Sequence, residues 1–137
     1  MNVMANSVYN SFHNPSVQET ASDSTGNVVV SQIEVPIRRL DELLLEIQSA
    51  KNARKIHLKM DTQGHDIQVF QGCRGLLSRV ASMQSEIPLK RIYEGIPHWR
   101  DVLHSYEEAG FEVHAFFRVN PHRMNTVEMD CFLINAE

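Results

Sequence analysis

The segment Lys55–Asp66, KIHLKMDTQGHD, alternates apolar and polar residues and then stops on an aspartate and a glycine turn. Ile56, Leu58 and Met60 fall on one face of a strand, Lys55, His57 and Lys59 fall on the other, and Asp61-Thr62-Gln63-Gly64 reads as the turn that ends it. Ile67 to Val80, behind that turn, reads as helical. Such a unit delivers a carboxylate to the carboxyl end of its own strand, which in open α/β sheets is the end where ligands bind. This makes one side of a crevice, and the rest of the chain has to supply the other.

The flanking sequence continues the alternation of strands and helices. Val28–Val30, Ile33, Val35 and Ile37 predict a strand that Pro36 limits to an edge or a strand end. Asp41 is placed to cap a helix over Glu42–Ala50 with Leu43, Leu44 and Ile47 on its apolar face. After the turn, Ile67, Val69, Phe70, Leu76, Leu77 and Val80 supply helical apolar positions, and Gly72 and Gly75 predict a break between two short helices. Ala81–Ile87 predicts a second strand with Glu86 near its end and Pro88 closing it. Trp99, Val102, Leu103 and Tyr106 recur at helical spacing, with Gly110 as the stop. The tail predicts two strands, Phe111–Val119 and Val127–Asn135. Their connection is too short for a crossover helix, so they must be antiparallel. The pattern is α/β with an antiparallel finish. Residues 1–27 hold many Asn, Ser and Thr and few large apolar side chains, so a flexible amino-terminal arm is expected there, with the compact domain over 28–137.

Composition narrows the function classes. With 13 basic and 17 acidic residues in 137 and a net charge of −4, nothing points to nucleic acid or to an anionic membrane surface. The first residues lack a basic start and a continuous apolar core, and no run approaches the length of a membrane-spanning helix, so neither secretion nor a membrane partner is expected and a cytoplasmic location is. Cys73 and Cys131 are too few for a disulfide scaffold and lack metal-site spacing, so they read as reduced core thiols and no metal centre is expected.

Several spaced motifs then agree in order. LKMDTQGHDIQVFQG, the segment around SMQSE, IYEGIP, EEAGFEVHAFF and EMDCFLIN, together with the lead-in VPIRRLDELL and the Asn- and Ser-rich NSVYNSFHNP, resemble the carboxyl half of the FkbM family of methyltransferases. That family has strands of the type I-K-x-D-x-x-G-x-E and D-x-x-F and a later strand ending in Glu. The resemblance implies a class I methyltransferase fold, here a partial Rossmann-like sheet with flanking helices and a carboxyl-terminal antiparallel hairpin. It also implies S-adenosylmethionine as cofactor and methyl transfer to an oxygen of a small metabolite or sugar. The family's glycine-rich turn, D-x-G-A-N-x-G, and the acidic residue for the ribose have no counterpart among the six glycines. The expectation is therefore a truncated domain with weak or lost cofactor binding, and an unpaired edge on the Lys55 strand that invites self-association or a partner chain.

The candidate site residues follow. Asp61 either binds a ligand or orients a backbone amide, or else caps its turn. Gln63 and Gly64 shape the turn and line the cofactor side, with Gly64 supplying a positive φ. Glu86 faces Asp61 across adjacent strand tips, as a substrate ligand or as a loop-ordering acceptor. His65 is a candidate catalytic base and Asp66 a helix-start charge or a residue with a catalytic role, standing where the family has a Glu one methylene longer. Lys59 pairs with Asp61 or is solvated, and Trp99, Phe116 and Phe117 are taken as core or interface.

Overall fold

A computed structural model describes residues 1–16, 28–47, 51–119 and 126–136. Two sheets organise them. A two-stranded antiparallel ribbon pairs β1 (Asn2–Met4) with β2 (Val29–Gln32). The main sheet contains β3 (Ile56–Met60), β4 (Val80–Pro88), β5 (Phe111–Arg118) and β6 (Glu128–Asn135) in the spatial order β3-β4-β6-β5. β3 and β4 are parallel, whereas β6 runs antiparallel to both β4 and β5. The sheet is mixed and finishes in the antiparallel hairpin expected from the tail.

Among the described residues the α-helices that accompany it include α1 (Leu40–Glu46), α2 (Asp66–Gln71) and α3 (Trp99–Glu108). The helical stretch after the turn breaks at Gly72 and resumes as a 3-10 helix over Arg74–Arg79. Gly110 stops α3 with φ +89°. α1 starts one residue before its expected cap. Asp41 lies in its first turn and reaches the other way, accepting from the Gly75 amide at 3.1 Å and pairing with Arg39, which holds its carboxyl down at about 2. None of these helices is long and apolar enough to cross a membrane.

Period-two alternation decides what is buried. Leu58 and Met60 of β3, Met83 and Ile87 of β4, Phe111 of β5 and Cys131 and Leu133 of β6 pack with Phe70, Val102 and Tyr106 of the helices. Phe70 meets Tyr106 edge-on at 4.7 Å between centroids and Phe111 at 6.0 Å. Cys73 and Cys131 are free and buried in this core, and burial raises their thiols to about 11 and about 12. The alternate positions form an outer face. There His57 stacks on Phe132 at 5.6 Å and shares a 2.8 Å hydrogen bond with Ser82, and His114 approaches the same Phe132 ring.

Two expectations change. The strand predicted over Val28–Ile37 lies outside the main sheet, and only Val29–Gln32 is strand, paired with β1. Phe116 and Phe117 are not core: a bulge between Val113 and Ala115 disturbs the alternation, leaving them 42% and 58% exposed.

Of the expected amino-terminal arm, residues 17–27 lie outside the described residues, whereas residues 1–16 are packed in place. Met4 forms a second small core with Tyr93 and Ile96, and Pro15 bridges to Tyr93. Side-chain hydrogen bonds hold this segment more than apolar burial does. Asn10 Oδ1 accepts from the Met4 amide at 2.8 Å, and Asn2 Nδ2 donates to the His13 carbonyl at 2.9 Å.

Candidate functional site

The carboxyl ends of β3 and β4 lie side by side, and because β6 is antiparallel its amino end arrives at the same edge of the sheet. Glu86 pairs across the ladder with Asp130, and Pro88 with Glu128. Acidic side chains from three strands therefore meet at one end of the sheet: Asp61 after β3, Glu86 on β4, and Glu128 and Asp130 on β6.

Gln63 links the first two. Its Nε2 donates to Glu86 Oε2 at 3.1 Å and lies 3.4 Å from Asp61 Oδ1. Its Oε1 accepts from the Tyr93 hydroxyl at 2.7 Å, which fixes the amide so that its NH2 faces the two carboxylates. The backbone at Gln63 is left-handed, φ +50°, a conformation rare outside glycine, and its carbonyl accepts from Ser11 Oγ at 2.7 Å. Gly64 follows with φ +89°. A Cβ there would stand 2.9 Å from Ile96 Cγ2 and 3.2 Å from Tyr93 Cδ2, so both space and conformation demand glycine. The turn is clamped between the amino-terminal segment and the Tyr93 loop.

Beneath this rim sits a second carboxylate of a different kind. Asp66 is the first residue of α2 and 5% exposed. Its Oδ1 accepts from the Thr62 amide at 2.9 Å and the Thr62 hydroxyl at 2.6 Å. Its Oδ2 accepts from Ser85 Oγ at 2.9 Å and the Glu86 amide at 3.0 Å. Ser85 has one proton and gives it to Asp66, so the hydroxyl of Tyr106, 2.9 Å away, must donate to Ser85. Asp66 ties the turn after β3 to the end of β4 and points inward, beneath Asp61.

The electrostatics differ accordingly. Lys59 Nζ lies 2.8 Å from Asp61 Oδ2, and that hydrogen bond holds the Asp61 carboxyl below its ordinary range. Burial, then the charge of Glu128, then Asp61 and Asp66, push Glu86 up to about 8. Burial and the same acidic neighbours push Glu128 up to about 7. Two carboxyl groups thus titrate near neutrality at the strand ends, where a group can both take and return a proton. His65 sits just before α2 against Phe12 and His13, its Nδ1 3.4 Å from His13 Nε2, and burial and that second imidazole lower its pKa. Among the described residues no group of three His, Cys, Asp or Glu side chains is arranged to hold a metal ion.

Asp61, Gln63, Gly64 and Glu86 are therefore brought together, His65 lies on the arm side of the turn, and Asp66 lies beneath. Tyr93 and Glu128 were not singled out from sequence. The alternation of Glu128 and Asp130 on one face of the last strand, with that strand antiparallel, was the signal for the second. Nothing short of the fold places the Tyr93 hydroxyl on Gln63.

The sequence matches the Methyltransferase FkbM domain over residues 2–113 of 137. The chain belongs to the FkbM methyltransferase family. The match to the FkbM domain begins within β1, so the amino-terminal segment that clamps the Gln63 turn is part of it, and it ends in β5, before Glu128. No curated protein and no solved structure matches the chain.

Proposed function

We propose that these residues form the acceptor side of an S-adenosylmethionine-dependent methyltransferase with a class I, Rossmann-like sheet, which moves a methyl group to an oxygen of a small metabolite or sugar. The observation that carries this reading is the convergence of Asp61, Glu86 and Glu128 at the carboxyl end of the parallel pair β3-β4, with Glu86 pushed up to about 8. A hydroxyl brought to this rim meets carboxyl groups able to orient it and, at Glu86, one that can take its proton once the pH is near 8. The family match supports the reaction class, and the order β3-β4-β6-β5 supports the sheet.

The described residues do not fit the cofactor by themselves. A backbone cradle needs open space over a glycine turn behind a strand. Gly64 is such a glycine, but Ile96 and Tyr93 fill the space above it. The described residues do not form the wall that would grip the methionine and ribose, and Asp61, Gln63 and Gly64 border it at most. Calorimetric titration with S-adenosylmethionine tests this. Weak or absent binding is expected, and micromolar binding by the monomeric chain would overturn it.

A second reading has its own observation. β3 hydrogen-bonds to β4 on one side, and no described strand pairs with its other side. A non-catalytic chain that associates through this edge, with itself or with another protein, is the alternative, and a stable monomer in a solution mass measurement counts against it.

A further inference from the structure

The free side of β3 carries an inference that rests on the association reading and commits it to an occupant and a register. We propose that the edge pairs with the β3 edge of a second copy of this chain, antiparallel, about a two-fold axis through Leu58.

An unpaired strand presents a row of amide and carbonyl groups that another strand can complete. Among the described residues the sheet has two such edges, β3 and β5. β5 is interrupted by its bulge at Val113–Ala115, a device that bends a strand and blunts an edge, whereas the His57–Met60 stretch of β3 is regular against Ser82–Ser85. Lys55, His57 and Lys59 are all exposed, and Asp61, at the strand's end, has about half of its side chain in solvent. Lys55 can meet a neighbour directly, and the Asp61 carboxylate, which already holds Lys59 Nζ at 2.8 Å, would be shared with the incoming lysine.

Pleating limits the registers. Outer-face residues must meet outer-face residues, so a two-fold axis has to pass through a residue and not between two. An axis at His57 sets Lys55 opposite Lys59 twice and His57 against itself. An axis at Lys59 sets that lysine against its own copy. An axis at Leu58 sets Lys55 opposite Asp61 twice, His57 opposite Lys59, and on the helix-covered side Leu58 against Leu58 and Ile56 against Met60. An axis at Met60 also opposes Lys59 to Asp61, but it sets His57 and Ile56 against the turn beyond the strand, whereas the axis at Leu58 pairs all of Ile56–Met60. Opposed like charges destabilise a pair of strands and opposed unlike charges stabilise it, so the Leu58 register is the one this sequence favours. Such an interface is isologous: each copy uses its β3 edge, the assembly closes as a dimer, and two four-stranded sheets become one.

Sedimentation velocity of the full chain, from low micromolar to several hundred micromolar, reads the outcome. The wild type is expected to move from the 15.7 kDa monomer to a dimer. K55E and D61K should each weaken the dimer about tenfold or more, and K55E/D61K should restore it because the two pairs are rebuilt with their signs exchanged. A dimer that K55E leaves unchanged would overturn the register while leaving association standing. A wild type that stays monomeric throughout would overturn association as well. Should D61K fail to fold, hydrogen exchange on the unaltered protein decides the matter: amides of residues 56–60 must gain protection as concentration rises, and concentration-independent exchange there would refute the edge pairing.

Discussion

Asp61 and Asp66 lie five positions apart around one turn and do opposite things. Asp66 is sealed beneath the turn with four hydrogen bonds that join Thr62 to Ser85 and Glu86. The acids above it, Asp61, Glu86 and Glu128, share one lysine, one glutamine amide and a good deal of mutual repulsion. The difference teaches that the lower carboxylate holds the tips in place, while of the upper ones Asp61 keeps its charge against Lys59 and Glu86 and Glu128 hold their protons toward neutral pH. A buried acid whose oxygens accept four hydrogen bonds is structural, whereas Glu86 and Glu128, partly buried and pushed up by burial and acidic neighbours, are what the proposed site rests on.

The comparison breaks most visibly at Asp66. D66A leaves the Thr62 and Glu86 amides and the Ser85 hydroxyl without their acceptor, and about 3 kcal/mol or more of stability should be lost in urea unfolding. D66N, which keeps the shape and part of the hydrogen bonding, should lose roughly half as much. A loss for D66A below about 1 kcal/mol would mean that the turn holds without its strut.

The rim should respond with the opposite sign. The folded pKa of Glu86 is raised, so between pH 4.5 and about 8 the unfolded chain releases this proton while the folded one keeps it. Stability therefore falls as pH rises through that window, and Glu128 adds to the fall up to about 7. E86Q should remove much of the slope and raise stability at pH 8 by about 1–2 kcal/mol, with no gain below pH 4.5. Equal effects at pH 4 and pH 8 would show that Glu86 is not repelled by its neighbours.

Tyr93 sharpens the link between the two levels. Y93F removes the hydroxyl that orients the Gln63 amide and should cost about 1 kcal/mol. Its distinguishing readout is the Glu86 titration, followed by carboxyl-carbon NMR: losing the fixed amide donor should move that pKa further up, and an unchanged Glu86 would dissociate Tyr93 from the rim. The smallest effect is expected at the arm. The His65 pKa is lowered, so the unfolded chain takes up its proton first as pH falls, and the contribution of the neutral ring is present above pH 6.5 and lost below it. H65Q should flatten the acid-side loosening of residues 1–16, read by limited proteolysis at pH 7.5 and pH 5.5.

Much of the main sheet was legible because its signals are local. The alternation in IHLKM, the glycines at 72 and 110 and the short final connection each carry their meaning within a few residues, and β3, the broken helix, the α3 stop and the hairpin followed from them. The ribbon β1-β2 was not legible. Its order comes from Asn2, Asn10 and Ser11 bonding to backbone and to the Gln63 turn, a kind of stabilisation that a count of apolar residues does not register. The site was half legible. Asp61, Gln63, Gly64 and Glu86 lie on two strand ends that pattern located and the family resemblance set side by side, but Glu128 joins them through a long-range antiparallel pairing and Tyr93 through a loop. The Val113–Ala115 bulge, invisible in composition, is what turned Phe116 and Phe117 outward.

The His57–Phe132 stack gives the outer face a reporter of its own. With the two ring centroids 5.6 Å apart and the planes 24° apart, the His57 ring protons feel the neighbour's ring current and resonate away from free histidine. Both rings lie where a body covering that face would come to rest. One two-dimensional spectrum of the histidine ring protons would therefore register the arrival of such a body before anything was known of its identity.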